Sequence, residues 1–389
     1  MIAARATQGP SSGLTFQPPV TPLILVSGGT GYIGSHTCVC LQEAGFSVLV
    51  VDNLSNSSEE VLSAIAAISG RRPLFEQADV RDAATMNAIV DRYRPVAAIH
   101  FAGVKSVAES VRDPVMYYDN NVSGSLALLA AMTRQGPPCL VFSSSATVYG
   151  EPDVLPLQEG HPLRPESAYG RSKMMVELIL ADVCSADAEA SVVTLRYFNP
   201  VGAHPEGGLG ESPLGIPENL MPHLGRVASG ATAMLRVFGD DYPTCDGTCV
   251  RDYVHVMDLA EAHVAAVQLA LQSPGLRVVN LGTGVGVSVL GLVRAYAAAC
   301  GHPLAYQVVA RRAGDVACYY ADPTRAAQLL GWTARRGINE MCDDAWRFTN
   351  AANGAETRLN LPVDLPDARR VVRLHDATRM HNNNPSSVS

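Results

Sequence analysis

Leu23-Ile24-Leu25-Val26-Ser27-Gly28-Gly29-Thr30-Gly31-Tyr32-Ile33-Gly34 is the stretch on which the reading of the chain turns. Its first five residues form an apolar run of buried-strand length. Gly28, Gly31 and Gly34 follow at three-residue spacing, and a helical segment then runs to Ala44 and stops at Gly45. A strand, a glycine turn and a helix bring backbone N–H groups to a helix N-terminus, where they can approach a pyrophosphate. Glycines also make ordinary strand-to-helix turns, so a second feature is needed. Ser47-Val48-Leu49-Val50-Val51 reads as the next strand and ends on Asp52, 18 residues after Gly34. A carboxylate there accepts hydrogen bonds from ribose hydroxyls and repels a 2′-phosphate, which favours NAD over NADP.

The same alternation continues outward. Ala97 to Phe101, Cys139 to Phe142 and Val192 to Tyr197 are further apolar runs, separated by helical stretches such as 123–134. Near-continuous apolar strands between helices predict an α/β fold, a Rossmann-type doubly wound parallel sheet covered on both faces. From Asn199 onward Gly, Pro and Asn become frequent. This shift predicts a nucleotide-binding domain over 22–198 and a smaller mixed α/β substrate domain over 199–353. Asp258 to Leu271 reads as a helix capped by Asp258. Residues 1–21 and the Asn- and Ser-rich 354–389 are read as flexible tails.

Charge and composition narrow the class. The 389 residues are 47% hydrophobic and 17% charged, with 29 Lys+Arg against 37 Asp+Glu and a formal net charge of −8. No Lys/Arg stripe offers a surface to nucleic acid or an anionic membrane. No apolar run reaches the roughly 18 residues of a membrane span, and Met1 to Pro22 has no secretory signal pattern. The nine cysteines contain no C-x-x-C pair, so reduced thiols in the cytoplasm are expected, and no metal site.

The chemistry is carried by Tyr169-Gly170-Arg171-Ser172-Lys173, a phenol and an ammonium one helical turn apart. A phenol with an ordinary pKa near 10 is a poor base, and a nearby cation favours its phenolate. Alone this is an ordinary surface pair. Upstream, Ser143-Ser144-Ser145 closes a strand, at the sheet edge where open α/β folds bind ligands. Ser145 can hydrogen-bond a substrate hydroxyl and relay its proton. Ser145, Tyr169 and Lys173 behind a nucleotide loop point to hydride transfer at a carbinol carbon.

On these residues the sequence resembles the extended short-chain dehydrogenase/reductase family. Longer stretches narrow the resemblance to the UDP-glucose 4-epimerases within it: 28–37, Tyr117 to Val122, Ser143 to Gly150, Leu195 to Pro205 and Val250 to Leu259. The resemblance spans Leu23 to Ala352. It implies a homodimeric isomerase of galactose metabolism that interconverts UDP-galactose and UDP-glucose through a 4-keto sugar, with tightly bound NAD. It also implies a cofactor shell of Gly28, Gly31, Tyr32, Ile33, Gly34 and Asp52, with the loop Asn53, Leu54, Ser55, Asn56 and Ser57. Asp79, Val80, Phe101, Ala102, Gly103, Lys105, Asn120, Ser143, Tyr169, Lys173 and Phe198 complete that shell. On the substrate side it implies Lys105, Ser145, Tyr169, Asn199, Asn219, Leu220, Phe238, Arg251, Tyr253, Arg312, Asp315 and Tyr319.

Two departures sharpen the resemblance. Sugar-nucleotide 4,6-dehydratases carry an Asp-Glu pair before Val-Tyr-Gly, and UDP-glucuronate decarboxylases carry a Glu. Here those places hold Ala146 and Thr147, which cannot titrate usefully. Tyr319 stands where relatives that accept N-acetylated sugars have a small residue, so it is expected to exclude UDP-N-acetylgalactosamine. Another UDP-sugar (a pentose, a uronate or an N-acetylhexosamine) is the alternative substrate. A non-catalytic NAD-binding regulator is the alternative from another class.

Overall fold

The computed structural model describes residues 21–359 apart from 216, 218 and 313. The strands are β1 (Leu23–Ser27), β2 (Ser47–Asp52), β3 (Leu74–Gln77), β4 (Ala97–His100), β5 (Cys139–Ser145), β6 (Ser191–Tyr197), β7 (Asn199–Val201), β8 (Leu235–Phe238), β9 (Val250–His255), β10 (Gly275–Leu281), β11 (Gly286–Ser288), β12 (Tyr306–Val309) and β13 (Cys318–Tyr319). The α-helices are α1 (Tyr32–Glu43), α2 (Glu60–Ser69), α3 (Ala83–Tyr93), α4 (Val107–Arg112), α5 (Pro114–Tyr118), α6 (Gly124–Thr133), α7 (Ala168–Ala186), α8 (Leu220–Ala228), α9 (Val256–Gln272), α10 (Val289–Cys300), α11 (Thr324–Leu330) and α12 (Ile338–Leu359).

Seven strands form one parallel sheet in the order β10-β6-β5-β4-β1-β2-β3. Successive side chains on a strand face opposite ways, so apolar runs such as Leu23–Ser27 require cover on both sides. Ile24, Val26, Val48 and Val50 pack against Leu41 of α1, Ile65 of α2 and Leu259 of α9. Leu25, Leu49 and Val51 pack the other way, against Met86 of α3, Leu128 of α6 and Val176 of α7. Each such buried side chain contributes roughly 1.5–3 kcal/mol. The predicted doubly wound sheet is the one observed, and the strand order reverses at β1 and β4, which is where a ligand crevice opens.

A second core is smaller. β9 pairs with β11, β13 and β7, while β8 pairs with β12. α8, α10 and α12 close over them through Met221, Leu224, Leu292, Tyr296, Met341 and Ala345. The structure differs from the sequence reading in three places. Region 199–353 does not keep to itself, because β10 pairs with β6 in register and α9 covers the large sheet beside α1. Helix α9 starts at Val256, capped by His255, whose Nδ1 accepts from Met257 N at 3.0 Å. Asp258 is not that cap: it is fully buried in the first turn, accepts from Arg335 N and Arg336 N at 3.0 Å each, and pairs with the Arg336 guanidinium. Helix α12 continues to Leu359, beyond the expected boundary at 353. The rest of the expected 354–389 tail, and residues 1–20 of the expected 1–21 tail, lie outside the described residues. Among the described residues no helix is long and apolar enough to cross a membrane.

Candidate active site

The nucleotide loop is shaped by close packing of backbone. Gly28 has φ +73°, and a Cβ there would sit 2.6 Å from Ala102 N. Phe101 N and Ala102 N both donate to Ser27 O, at 2.9 and 3.1 Å, which draws the ends of β1 and β4 together beneath the loop. A Cβ on Gly34 would run into the Gly28 carbonyl, and one on Gly31 would lie 3.2 Å from the same oxygen. Helix α1 begins after Gly31 with no side-chain cap and no acidic residue in its first turn. Its first N–H groups and positive end are left for an anion.

Asp52 is 9% exposed and fixes this loop to β2, accepting from Thr30 N at 3.1 Å and Leu54 N at 2.9 Å. The second bond holds Leu54 at φ +58°, a backbone that side chains rarely adopt. Thr30 Oγ1 and Ser57 Oγ share a hydrogen bond of 2.6 Å. Asn53 folds back, its Oδ1 accepting from Ser55 N and its Nδ2 donating to Asp79 at 3.1 Å. Hydrogen bonds from Arg81 hold the Asp79 carboxyl well below the usual carboxylate range. Asn56 Oδ1 accepts from Leu214 N at 3.0 Å, a bond from the second core's side of the cleft. Tyr32 likewise reaches across, its hydroxyl donating to Gly202 O at 2.7 Å, and burial followed by the Glu211 charge pushes its phenol up. Ile33 packs into the first core and Val80 into the core on the sheet's other face.

Asn120 is only partly buried, whereas its neighbour Asn121 is 2% exposed and does the holding. Asn121 Oδ1 accepts from Val104 N at 2.9 Å, and its Nδ2 donates to Val104 O and Ser172 Oγ at 3.0 Å each. It thereby ties the loop of Gly103 and Lys105 to α7. Two adjacent asparagines in the sequence carry no sign of which one faces inward, and Asn121 was missed for that reason.

Helix α7 opens with Ser167 as cap, its Oγ accepting from Gly170 N at 3.1 Å, so Tyr169 lies in the first turn and Lys173 one turn deeper. Lys173 is 6% exposed; its Nζ donates to Ser143 O at 2.9 Å and sits 5.0 Å from the Phe142 ring centroid. Burial lowers its pKa to about 8, with Glu177 pulling the other way. Ser145, the last residue of β5, accepts from Thr147 N at 3.2 Å and from Thr147 Oγ1 at 2.9 Å. Its own O–H is therefore the donor toward Tyr169. Burial pushes the Tyr169 phenol above its ordinary value, and the Ser145 hydrogen bond opposes that shift. The expected lowering of the phenol by Lys173 is thus not made by the chain alone: the ammonium is turned to Ser143 O, and desolvation of a phenolate dominates.

Across the cleft, Arg251 on β9 lies 3.8 Å from Asp315 and donates to Val250 O and Val316 O at 2.9 and 2.6 Å. Arg312 pairs with Asp315 at 2.8 Å, and its guanidinium lies 5.6 Å from the Phe238 ring centroid. The register puts Tyr319 opposite Arg251 and Asn199 opposite Tyr253, so three neighbouring strands present these residues together. The Tyr319 hydroxyl donates to Ala146 O, and its ring lies 5.4 Å from that of Phe198. Tyr253 is 4% exposed within the second core, where Leu220 also packs, so both support the pocket through packing. Glu211, which the sequence reading missed, joins Lys105 at 3.0 Å to Asn219 at 2.5 Å.

The donor set suits a dinucleotide and a nucleoside diphosphate. Bare glycines, an uncapped helix end and a carboxylate at the tip of β2 match the first, and two arginines around one aspartate, one of them beside an aromatic ring, match the second. Comparison with known proteins agrees. Residues 24–282 match the model of the NAD dependent epimerase/dehydratase family. The UDP-glucose 4-epimerase of Bacillus subtilis (strain 168) is 51% identical over 328 residues, covering 84% of this chain and 97% of that protein. A UDP-glucose-4-epimerase from Stenotrophomonas maltophila, solved with bound NAD and formylated UDP-arabinopyranose, is 47% identical with a TM-score of 0.84, covering 86% of this chain and 99% of that one. The Bifidobacterium longum UDP-glucose 4-epimerase, solved with NAD+ and UDP, is 45% identical with a TM-score of 0.83, covering 85% and 99%.

Proposed function

The chain belongs to the NAD dependent epimerase/dehydratase family, and from that premise we propose that it interconverts UDP-galactose and UDP-glucose by inverting C4. The observation that carries the reading is the meeting of Tyr169, Ser145 and Lys173 at the end of β5 beside the glycine loop, with Ala146 and Thr147 alongside. One proton-transferring pair is enough for oxidation and reduction at a carbinol, whereas eliminating water needs a further acid and base.

NAD, held by the loop of Gly28, Gly31 and Gly34 and by Asp52, supplies the hydride acceptor and donor for C4. Tyr169 takes the proton of the 4-hydroxyl while Ser145 donates to the same oxygen. Lys173, cationic below about pH 8, stabilises the Tyr169 phenolate that accepts this proton and that reappears when the proton is returned. Arg251 and Arg312 neutralise the diphosphate with fork-shaped donors, so the 4-keto sugar stays tethered while its ring turns. Tyr169 then returns the proton to the oxygen on the inverted carbon. Tyr319 closes the sugar end of the pocket and limits the substituent at C2.

The test is incubation of the purified protein with UDP-galactose and no added NAD. UDP-glucose accumulating to a stable ratio is the expected result; absence of turnover with and without NAD overturns the reading. The pentopyranose bound to the Stenotrophomonas relative favours a UDP-pentose as second substrate, which the assay repeated on a UDP-pentose checks. Val111, Val115 and Leu178 stand exposed on α4, α5 and α7, a face suited to a second copy of the chain in a homodimer. The nine free thiols suit the cytoplasm.

A further inference from the structure

Tyr169, Lys173 and Glu177 follow one another at four-residue spacing, on one face of α7. The first two act on substrate. The third is 7% exposed and has no route to it, yet it is a carboxylate inside the core. Its partners account for it. Glu177 Oε1 accepts from Ser144 Oγ at 2.5 Å, and its two oxygens take Arg196 Nε and Nη2, the shortest of these contacts being 2.6 Å. Arg196, on β6, is 4% exposed and sends Nη1 to Tyr149 Oη at 2.9 Å and to Glu159 O at 3.1 Å. Tyr149 in turn donates to Asn280 Oδ1 on β10 at 2.6 Å.

The three serines that end β5 are therefore matched to three turns of α7. Ser145 meets Tyr169, the Ser143 carbonyl meets Lys173, and Ser144 meets Glu177. A buried ion pair is a weak source of stability, because desolvating both charges offsets their attraction, and such pairs are best attested as devices that specify register. We propose that Glu177 is a positioning residue for the epimerase reaction: clamped by Arg196, it sets α7 against β5 so that Tyr169 and Lys173 meet Ser145 and Ser143. The inference rests on the catalytic reading above. The titratable groups around Lys173 are Tyr169 and Glu177 on α7 and His100 on β4, and Glu177 is the one that favours the ammonium.

The test compares Glu177→Gln, and the double variant Glu177→Leu/Arg196→Met, with the unaltered protein on UDP-galactose. An inactive unaltered protein counts against the catalytic reading and leaves the variants to be judged on the proper substrate. With an active parent, Glu177→Gln is expected to lose kcat by roughly 10- to 100-fold, as small misplacements of reacting groups do. KM should stay within about threefold, and the alkaline limb of kcat/KM should move to lower pH. Where Glu177→Gln does not fold, the double variant decides, because an apolar pair of similar volume restores stability without either charge. Positioning predicts that it folds but keeps the low kcat and displaced limb. A folded variant of either kind with parental kcat and an unmoved limb overturns the proposal.

Discussion

Asp52 and Asp315 are both carboxylates at the cleft, and they are used in opposite ways. Asp52 is bonded by the backbone N–H groups of Thr30 and Leu54, partners that cannot turn away without unmaking the glycine loop. Asp315 is bonded by the side chain of Arg312 at 2.8 Å and faced by that of Arg251 at 3.8 Å, partners that can swing to another anion with the backbone in place. The nucleotide half is thus a preformed cradle, while the substrate half is a set of internal ion pairs open to exchange. A retained cofactor and an exchanged substrate call for that division.

Substitutions can break or sharpen this contrast. The largest effect is expected at the junction of the halves: Tyr169→Phe should lower kcat by roughly 10²- to 10⁴-fold, with UDP affinity by calorimetry unchanged. Arg251→Leu comes next; losing a charge-assisted contact should weaken UDP binding by about 1.5–3 kcal/mol while NAD content holds. Gly28→Val should do the reverse, because its Cβ would meet Ala102 N and its φ of +73° disfavours a side chain. A strain of about 1–3 kcal/mol should appear as a lower Tm, with NAD lost and UDP still bound. If Gly28→Val weakens UDP as much as NAD, the two halves are not independent.

A smaller effect concerns Lys173. Its pKa is about 8 in the folded chain against 10.5 ordinarily, so between those values the unfolded chain holds a proton that the folded one lacks. The contribution of Lys173 to the stability of the NAD-free protein should therefore rise with pH across that window, by at most about 1.4 kcal/mol per unit, read in urea titrations as the difference between the unaltered protein and Lys173→Met. The most local effect is at Tyr319: Tyr319→Cys should admit UDP-N-acetylgalactosamine with UDP-galactose turnover kept. No such gain counts against Tyr319 as the limit on sugar size.

The contrast also governs what could be read before the structure. Gly28, Gly31, Gly34 and Asp52 lie within one strand-helix-strand unit, so spacing alone exposes their role. Arg251, Arg312, Asp315 and Tyr319 look like ordinary surface or core residues until β9 and β13 set Arg251 opposite Tyr319 and Asp315 gathers the two arginines; only resemblance to a family picked them out. The tie made by Asn121 next to the expected Asn120, and His255 rather than Asp258 as a helix cap, turn on which side chain faces inward. Local propensity does not contain that. Glu177 and Arg196 were invisible for a related reason, since charged residues on a helix and a strand are solvated more often than paired.

The return of β10 to the large sheet has a consequence for how the molecule could be divided. The chain leaves β6, builds the second core and comes back to pair Gly275–Leu281 with Ser191–Tyr197. A chain ending at Phe198 would keep every residue of the glycine cradle, yet it would lack both the strand beside β6 and the cover supplied by α9. The long apolar edge of β6 would then stand open as a template for another chain. The nucleotide half is complete as a binding surface and incomplete as a folding unit, so attempts to produce it alone should end in aggregation.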